Sequence, residues 1–377
     1  HVQNVLDKER PSGVVLQFGG QTPLKLAGTI HDAGVRILGT PKKAIDAAEN
    51  REIFRRLLNQ LGMSQPRSRI AVSREDVLPE ADRVGYPVLV RPSFVLGGRG
   101  MRIVYNRTEL ELLLAEGVTV TEDTPLLIDA FLEDAIEIDV DAVTDGERVL
   151  TGAVLEHVEE AGVHSGDSSC LTPPYSIGTE AEAELRDMTS RLARAIGVVG
   201  LLNVQYAVKG DTIYVIEANP RASRTVPFVS KATGMPLVDL AVDAILGQPL
   251  PSETERHTFT REGQDHLISV KKPVLPFDRF PGSDSLLGPE MKSTGEVMGT
   301  GAHFGEAYAK AQEGAGEPLP TEGTVFLSVP DREKRAIVFL AKQLVMLGFR
   351  LVATQGTWRF LKLNGVPAER VFKVGEG

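Results

Sequence analysis

An acid, an amide and two arginines lie close together in the stretch IEANPRASRT at 216–225. Glu217 and Asn219 are two positions apart on a predicted strand, so their side chains point to the same face. Both offer oxygen atoms, the ligand type that Mg²⁺ prefers, and Arg221 and Arg224 could balance phosphate charge. The stretch therefore predicts a metal and phosphate site. The alternative is a solvated strand end before an Asn-Pro turn.

Gln205 is the candidate for a third oxygen ligand, because its segment is predicted to form a hairpin with the strand that carries Glu217. The register depends on the loop between the two strands. A three-residue loop at 209–211 with a left-handed glycine puts Gln205 opposite Val215, on the face of Glu217, whereas a two-residue loop puts it on the opposite face. We therefore predict the three-residue loop. If Gln205 and Glu217 lay on opposite faces of the hairpin, a metal site with three protein ligands would be excluded.

A glycine-rich loop at 95–100 is the second candidate. Glycines such as Gly97 and Gly98 let backbone N–H groups approach phosphate oxygens, and Arg91 and Arg99 could neutralise them. The loop is not a Walker-type P-loop, since no Gly-Lys-Ser/Thr follows. Two predicted strands flank it, so it is not a dinucleotide fingerprint either. A flexible hairpin tip remains the alternative.

The loop GVHSGDSS at 162–169 is the third candidate, because its backbone could offer donors and carbonyls to a ribose or an adenine. His157 nearby is predicted to be structural or a neighbour of an ion site. The alternating strand that precedes these residues has Glu137, Asp139 and Asp141 on one face. That face is expected to be solvated, and only Glu137 is expected to have a specific role.

Other chemistries find little support in the sequence, which has no Ser-His-Asp arrangement with a nucleophile elbow and no cysteine pair for zinc. The single cysteine, Cys170, is predicted to be a small packed side chain and fits a reducing, cytosolic setting. No apolar run approaches the roughly 20 residues of a membrane span. With 41 basic and 51 acidic residues the net charge is -10, which argues against general nucleic-acid binding.

The chain of 377 residues is long enough for two or three domains, and its elements indicate how the candidates are positioned. A strand, a helix and a strand at 13–38 predict a small parallel α/β unit. The further predicted elements are helical sequence at 44–61 capped by Gly62, two strands within 86–105, helix 108–116, strand 125–132, the hairpin 137–158 turning at Asp145-Gly146, and helix 180–196.

The region after residue 250 is rich in proline and glycine, and 251–322 is predicted to be irregular structure that completes the preceding domain. The strand 325–329, the helix 332–347 and the strand 349–353 predict another α/β unit, followed by the loop TQGT at 354–357. Too few strands follow for a complete sheet. The sequence is therefore expected to be part of a longer chain.

Several segments taken together are far more specific than any one of them. In chain order they are FGGQTPLKLA (18–27), RPSFVLGGRGM (91–101), EHVEEAGVHSGDSS (156–169), NVQYAV (203–208), IEANPRASRTVPFVSKATG (216–234) and LGPEMKSTGEVMG (287–299). They closely resemble the large chain of the carbamoyl phosphate synthetase family, over nearly the whole sequence. The resemblance is to its second, carbamate-phosphorylating half, because the tail after 323 looks like the start of the allosteric domain that follows that half.

The resemblance implies an α/β (α+β) chain built around an ATP-grasp fold. A partial pre-ATP-grasp α/β unit would occupy 1–40. The ATP-grasp domain would occupy 41–322, with a lid subdomain at about 87–150. The N-terminal part of a methylglyoxal-synthase-like allosteric domain, truncated here, would occupy 323–377.

The resemblance also implies which residues bind ATP. They are Arg91, Gly97, Gly98, Ala130, Leu132, Glu137, Gly162, Val163, His164, Ser165, Gln205 and Glu217. Glu137 would bind the ribose, and the hinge strand 128–132 would lie near the adenine. Position 130 holds a smaller side chain than the family pattern suggests, which does not affect a contact through the backbone but does affect one through the side chain.

The remaining implied site residues act on the phosphates, the metal and an effector. Gln205, Glu217 and Asn219 would carry Mg²⁺ or Mn²⁺, with K⁺ as a further ion. Arg51 would contact the phosphates, while Arg221 and Arg224 would hold carbamate and the transferred phosphoryl group. In the family's allosteric domain a T-x-G-T loop binds an effector phosphate, which here corresponds to Thr354, Gly356 and Thr357, with Lys334 as a weaker candidate.

The implied function is ATP-dependent phosphorylation of carbamate to carbamoyl phosphate, within glutamine-dependent synthesis for pyrimidine and arginine biosynthesis in the cytoplasm. The implied partners are a glutaminase small chain and the remainder of the large chain, with no nucleic acid or membrane. One alternative is another ATP-grasp ligase that joins a carboxylate to an amine. The segment 221–234 favours the synthetase over this alternative. The other is a nucleotide-binding fragment without turnover.

Overall fold

The computed structural model describes residues 1–92, 100–118, 120–252, 267–279, 282, 284–373 and 375. These residues form two units, 1–317 and 318–377, and each is described by itself. Within the described part of the chain, no helix is long and apolar enough to cross a membrane.

The N-terminal region is the small parallel unit that the sequence predicts. Its elements are α1 (Val2–Glu9), β1 (Val14–Val15), α2 (Gln21–Lys25), α3 (Ala27–Asp32) and β2 (Ile37–Leu38). Strands β1 and β2 pair in parallel, and Leu16, Leu24 and Ile30 form their buried cluster with Ile45 from the next helix. The turn between β1 and α2 is thereby held in a fixed place.

Two helices follow, α4 (Lys42–Glu49) and α5 (Arg51–Leu61), where the sequence predicts continuous helical structure at 44–61. That prediction is wrong at Asn50, whose backbone is extended. Its side chain accepts hydrogen bonds from the N–H groups of Glu52 and Ile53, both at 3.1 Å, and so caps a new helix. The break puts Arg51 in the first turn of α5. Gly62 ends the helix in the left-handed conformation, as predicted.

A four-stranded antiparallel sheet at 68–130 overlaps the predicted lid at about 87–150 only in part, because residues from Ile136 onward belong to the larger sheet. Its elements are β3 (Ser68–Ala71), α6 (Arg74–Val84), β4 (Val88–Pro92), β5 (Arg102–Val104), α7 (Arg107–Ala115) and β6 (Leu126–Ala130), with the strand order β3-β6-β4-β5. Helices α6 and α7 cover one face through Val77, Ala81 and Leu110. The structure confirms two strands around the glycine-rich loop. Gly97, Gly98 and Arg99 of that loop lie outside the described residues.

The largest sheet has seven antiparallel strands. Its region contains β7 (Ile136–Thr144), β8 (Val149–His157), β9 (Cys170–Thr172), α8 (Thr179–Ile196), β10 (Gly200–Lys209), β11 (Thr212–Asn219), α9 (Val226–Thr233), α10 (Leu237–Ile245), β12 (Ile268–Val274), β13 (Gly295–Gly301) and α11 (Phe304–Gly314). The strand order is β11-β10-β7-β8-β9-β12-β13. Helices α5 and α8 bury one face, and α9 and α10 bury the other. The sheet is therefore a central layer, with polar chemistry at its strand ends.

The prediction of irregular structure at 251–322 is wrong, since β12, β13 and α11 lie in this range. The glycines of β13 have a packing function. A Cβ on Gly299 would lie 2.1 Å from the carbonyl oxygen of Ala307 and 2.5 Å from the nitrogen of Ala311. Helix α11 thus approaches the strand more closely than any side chain would permit. In the sequence alone, the same glycines indicate a loop.

The unit at 318–377 contains β14 (Thr324–Leu327), α12 (Lys334–Met346), β15 (Arg350–Thr354), α13 (Gln355–Leu363) and β16 (Glu369–Val371), with a 3₁₀ turn at Asp331–Glu333 before α12. The strands are parallel in the order β14-β15-β16, as expected for an α/β unit. The predicted loop at 354–357 is wrong. Thr354 ends β15, and Gln355 already begins α13, so the two threonines flank a helix start.

Helix α7 offers a matched test of this packing. Leu110 is 0% exposed and Leu112 is 62% exposed on the same helix. Leu110→Ala is expected to lower the free energy of unfolding by about 3 kcal/mol, because it leaves a cavity between α6 and the small sheet. Leu112→Ala should change it by less than about 0.5 kcal/mol. Urea titrations followed by circular dichroism measure both, and equal losses would contradict the assigned face.

Candidate nucleotide and metal site

The hairpin of β10 and β11 carries the predicted oxygen ligands. Lys209 pairs with Thr212, so the loop is the two residues Gly210 and Asp211, and the predicted three-residue loop is wrong. The register then shifts, because Tyr206 pairs with Val215 while Gln205 pairs with Glu217. The residue between, Ile216, is an extra residue that forms a bulge. Gln205 and Glu217 are therefore cross-strand partners on one face, by a device that the sequence did not reveal.

A chain of hydrogen bonds continues from Glu217 along the strand end. Asn219 Nδ2 donates to Glu217 Oε1 at 2.8 Å, and Arg221 Nη2 donates to Asn219 Oδ1 at 3.1 Å. Arg221 Nε also donates to Gln21 Oε1 at 3.0 Å. The Arg221 guanidinium is thus held between the metal-ligand candidates and the N-terminal region. Sequence reasoning missed Gln21, for which the matching segment 18–27 was the available signal.

The donor atoms on this face fit a hard divalent cation. Gln205 and Asn219 offer amide oxygens and Glu217 a carboxylate, the set that Mg²⁺ or Mn²⁺ accepts. Glu217 is exposed, so its carboxylate is open to ligands, whereas Asn219 is buried. The geometry brings together all three residues that the sequence proposed for the metal.

A second group with metal-ligating atoms lies in the interior. Ligand atoms of Asp139, His157 and Cys170 are within 4.8 Å of one another. His157 Nε2 is already 2.9 Å from Asp139 Oδ2. Burial disfavours the charged form of Lys271, but interactions with Cys170, Glu296 and Asp139 outweigh burial and raise its pKa. We interpret this group as a buried charge network, in which an ammonium already balances the acids.

The expectation that Asp139 and Asp141 are solvated is wrong, because both are buried. Strand β7 is an inner strand between β8 and β10, and α9 and α10 cover one face of this part of the sheet. Burial raises the pKa of Asp141 to about 6, against hydrogen bonds from Thr225, Ser223 and Asn203 that lower it. For His157, burial opposes protonation, but Cys170, Asp139 and Glu137 raise its pKa well above the usual value.

Arg51 and Arg91 meet at a carboxylate that sequence reasoning did not single out. Arg51 Nη1 lies 3.2 Å from Asp129 Oδ1, and Arg91 Nη2 lies 2.9 Å from Asp129 Oδ2. Asp129 is on the hinge strand β6, between apolar neighbours, and that isolated acid was the signal in the sequence. One acid between two arginines leaves one net positive charge at this edge of the small sheet.

The hinge residues Ala130 and Leu132 use parts of their backbone within the fold. The N–H of Ala130 donates to the carbonyl oxygen of Arg67 at 2.7 Å, and the carbonyl oxygen of Leu132 accepts from Ala135 N–H at 3.2 Å. Both side chains are half-buried. A ligand at this strand would therefore meet the other backbone groups of the two residues.

Glu137 and the loop at 162–165 come together as the sequence proposed. Glu137 Oε1 accepts from the N–H of Gly162 at 3.0 Å, and Glu137 Oε2 lies 3.5 Å from His157 Nδ1. Gly162 has φ +96°, and a Cβ there would lie 2.8 Å from Ile103 and 2.9 Å from Phe131. Only glycine fits this close approach of the loop to β5 and the hinge.

The rest of that loop is anchored beneath the site. His164 N–H donates to the carbonyl oxygen of Gly288 at 2.8 Å, and Lys271 Nζ donates to that of Ser165 at 3.2 Å. Val163 N–H lies 3.4 Å from the carbonyl oxygen of Glu160. Burial lowers the pKa of His164, which also feels the charges of Glu217 and Arg224. Hydrogen bonds thus hold this loop at His164 and Ser165.

The effector candidates lie in the separate unit at 318–377. Thr354 Oγ1 is 3.1 Å from Ser328 Oγ, and Thr357 Oγ1 accepts from the N–H of Val329 at 3.3 Å. A Cβ on Gly356 would lie 3.0 Å from Lys334 Nζ. The geometry thus gathers the four proposed residues at the start of α13.

Three family descriptions match this chain consecutively. "Carbamoyl phosphate synthase preATP-grasp domain" matches residues 1–47, "Carbamoyl-phosphate synthase L chain, ATP binding domain" matches 50–253, and "MGS-like domain" matches 336–377. Together with the observed architecture, they confirm the predicted ATP-grasp fold, with a pre-ATP-grasp unit before it and an MGS-like domain at the C-terminal end.

Curated relatives are similar over the full chain. The C-terminal section of the carbamoyl phosphate synthase large chain of Aquifex aeolicus is 53% identical over 390 residues, covering 100% of this chain and 72% of that protein. The large chain of Rubrobacter xylanophilus is 53% identical over 377 residues, covering 100% of this chain and 35% of that protein. The chain thus spans about a third of the length of such a large chain.

Solved structures of other enzymes share the fold at low identity. The N5-carboxyaminoimidazole ribonucleotide synthetase of Thermus thermophilus has a TM-score of 0.62 and 18% identity, with 84% of this chain and 85% of that chain covered. The biotin carboxylase of Campylobacter jejuni, in an ATP complex, has a TM-score of 0.58 and 16% identity, with 72% and 61% covered. At this identity the likeness concerns the fold alone.

Asp141 gives the stability of the chain a specific pH dependence. Its pKa of about 6 in the folded chain exceeds the value of about 3.9 for a free aspartate, so the folded chain binds the proton more tightly. Its contribution to the free energy of unfolding is therefore full below about pH 4 and falls by about 3 kcal/mol as the pH rises through 6.

Asp141→Asn should remove this fall. Urea titrations of both proteins between about pH 4 and 7 measure the difference in unfolding free energy between them. A difference that stays constant across this window would contradict the shifted pKa.

Proposed function

The chain belongs to the carbamoyl phosphate synthase large-chain family, and we propose that it is the half that phosphorylates carbamate with ATP, giving carbamoyl phosphate and ADP. The observation that carries this proposal is the bulge at Ile216. It brings Gln205 and Glu217 onto one face beside Asn219 and Arg221. The MGS-like match after the ATP-binding match, and the Aquifex relative described as a C-terminal section, support the second half over the first.

The chemistry of such a transfer fits the residues present. Phosphoryl transfer needs in-line positioning and positive charge around the transferred group, and it needs no side-chain nucleophile. Arg221 and Arg224 hold carbamate and the phosphoryl group. Arg221 is already oriented by Asn219 and Gln21, so little reorganisation is needed when substrate binds. Arg51 and Arg91, joined by Asp129, face the ATP phosphates.

Gln205, Glu217 and Asn219 would hold Mg²⁺ or Mn²⁺. Held by these residues, such an ion would supply positive charge to the site. Asn219 and Glu217 are hydrogen-bonded to each other, which fixes their oxygens on one face. The protein part of this arrangement is therefore organised before any ligand arrives.

The nucleotide would lie between the two sheets of this unit. Glu137 binds the ribose, and backbone groups of 162–165 and of the hinge residues Ala130 and Leu132 line the base. Gly97 and Gly98, outside the described residues, are the proposed contacts of the phosphates. The hydrogen bond from Gly162 N–H to Glu137 places the ribose candidate beside the loop at 162–165, which supports a role for both in binding one nucleotide. A site that excludes water protects the acyl phosphate product from hydrolysis.

The wider assignment extends this proposal. The domain division is 1–40, 41–322 and 323–377, and the effector site consists of Thr354 and Thr357. The chain works in the cytoplasm with the remainder of the large chain and a glutaminase small chain, in glutamine-dependent synthesis for pyrimidine and arginine biosynthesis. K⁺ is a further ion of the site. The single buried thiol, Cys170, supports a reducing compartment.

The reverse reaction tests the function directly. The chain incubated with carbamoyl phosphate and MgADP is expected to form ATP, measured by a coupled luminescence assay. Glu217→Ala should lower the rate by about 100-fold or more, because it removes the carboxylate of the metal face. The control is Glu184→Ala, which removes an exposed acid from α8 and should leave the rate unchanged.

The other outcomes separate the alternatives. Nucleotide binding without ATP formation would favour a fragment without turnover. ATP formation from acetyl phosphate but not from carbamoyl phosphate would favour another carboxylate ligase. Either result would overturn the proposed function.

Arg221 offers a sharper test of the mechanism. Its guanidinium nitrogens reach Gln21, Asn219 and the carbonyl oxygen of Ala222, and no lysine can make these contacts together. Arg221→Lys keeps the charge but is expected to lower kcat/KM for carbamoyl phosphate by about 100-fold. The KM for MgADP should stay within about twofold. Full activity of the lysine variant would mean that charge alone suffices.

A further inference from the structure

The segment at 220–225, which carries both proposed substrate arginines, is neither helix nor strand. At its start the N–H of Ala222 donates to the carbonyl oxygen of Gln17 at 2.9 Å, and Arg221 reaches Gln21. These contacts hold the Arg221 end. Arg224 is exposed and further along, so its place depends on what holds the residues on either side of it.

Both neighbours of Arg224 are bound to one buried carboxylate. Ser223 Oγ donates to Asp141 Oδ1 at 2.7 Å, and Thr225 Oγ1 donates to Asp141 Oδ2. The two hydroxyls also lie 2.8 Å from each other. Asp141 is 1% exposed on the inner strand β7, so the segment is tied to the interior of the sheet.

The sheet also supports this carboxylate from its other side. Asn203 Nδ2 donates to Asp141 Oδ1 at 3.0 Å and lies 3.4 Å from Asp139 Oδ1. The amide thus separates two buried acids, and His157 and Lys271 offset the charge of Asp139. A buried carboxylate is costly unless its oxygens are bonded, and here donors from β10 and from the arginine segment supply those bonds.

We propose that Asp141 is a positioning residue for the phosphoryl transfer. By binding Ser223 and Thr225 on either side of Arg224, it sets where the Arg224 guanidinium stands relative to Arg221. Asp141 itself does not touch the substrate. This inference rests on the proposed function for its catalytic meaning, while the tether between β7 and the segment can be tested without turnover.

The first test compares kinetic constants in the ATP-forming direction. Asp141→Ala removes both acceptors and is expected to lower kcat/KM for carbamoyl phosphate by about 100-fold, with KM for MgADP changed by less than about twofold. Asp141→Asn keeps the shape and one acceptor, so its kcat/KM for carbamoyl phosphate should be about tenfold higher than that of Asp141→Ala. If Asp141 had only a structural role, both substrates would be affected alike, and that result would overturn the proposal.

A matched control removes a buried hydrogen bond elsewhere in the same unit. Thr189 Oγ1 on α8 lies 2.8 Å from Tyr206 OH, on a helix that makes no hydrogen bond to the arginine segment among the described residues. Thr189→Val should lower the unfolding midpoint without changing kcat/KM for carbamoyl phosphate. If Thr189→Val reproduces the Asp141→Asn kinetics, general destabilisation is the cause and the proposal fails.

A double-mutant cycle tests the path of the effect. If Asp141 acts through the segment, Asp141→Asn should cost less than about threefold in kcat/KM when added to the double variant Ser223→Ala with Thr225→Val. The same substitution alone should cost about tenfold. If Asp141→Asn lowered kcat/KM by the same factor in both backgrounds, the proposed tether would be overturned. The asparagine variant keeps this cycle usable even if Asp141→Ala fails to fold.

Trypsin cleavage tests the tether independently of enzyme activity, since trypsin cuts after arginine. Cleavage after Arg221 and Arg224, followed by mass spectrometry on folded protein, should be at least about tenfold faster in Asp141→Asn than in the unsubstituted chain. Thr189→Val should match the unsubstituted chain. Unchanged cleavage in Asp141→Asn overturns the tether. Absence of ATP formation with faster cleavage would refute the proposed function and leave the tether standing.

Discussion

The site depends on one extra residue in a strand. Side chains in a strand alternate between faces, so with the two-residue loop at Gly210 and Asp211 a regular ladder would set Gln205 opposite Ile216. The bulge at Ile216 moves Gln205 opposite Glu217, and the oxygen ligands then share one face with Asn219. Arg221 lies beside that face and donates hydrogen bonds to Asn219 and to Gln21. Without the bulge, Gln205 would not share the face of Glu217 and Asn219.

Charge compensation is the second organising principle. The interior of the large sheet buries Asp139, Asp141, His157 and Lys271, which are costly groups one by one. They are arranged so that each acid has donors or a cation beside it, and Asn203 lies between the two aspartates. At the small sheet, Asp129 performs a similar function between Arg51 and Arg91. Fixed polar groups of this kind need no reorganisation when a charged substrate binds.

Most elements with strong local signals could be predicted from the sequence, including the hairpin at Asp145-Gly146, the helix at 179–196 and the strands around the glycine loop. The failures have physical causes. Gly299 and Gly301 suggest a loop, but they exist so that α11 can pack against β13. Asn50 splits a helix because its side chain caps the next one. Asp139 and Asp141 follow the pattern of a solvated face, yet neighbouring strands and helices cover them.

The sequence by itself determined the α/β character, the candidate ligand types, and the ordered segments on which the family resemblance rests, because these depend on local residue types and spacing. Only the tertiary structure decided which groups meet. Asp129 joins two arginines from different elements, Gln21 reaches Arg221 across the chain, and Asp141 binds both neighbours of Arg224. Such contacts depend on register and on the packing of distant segments, which no local pattern encodes.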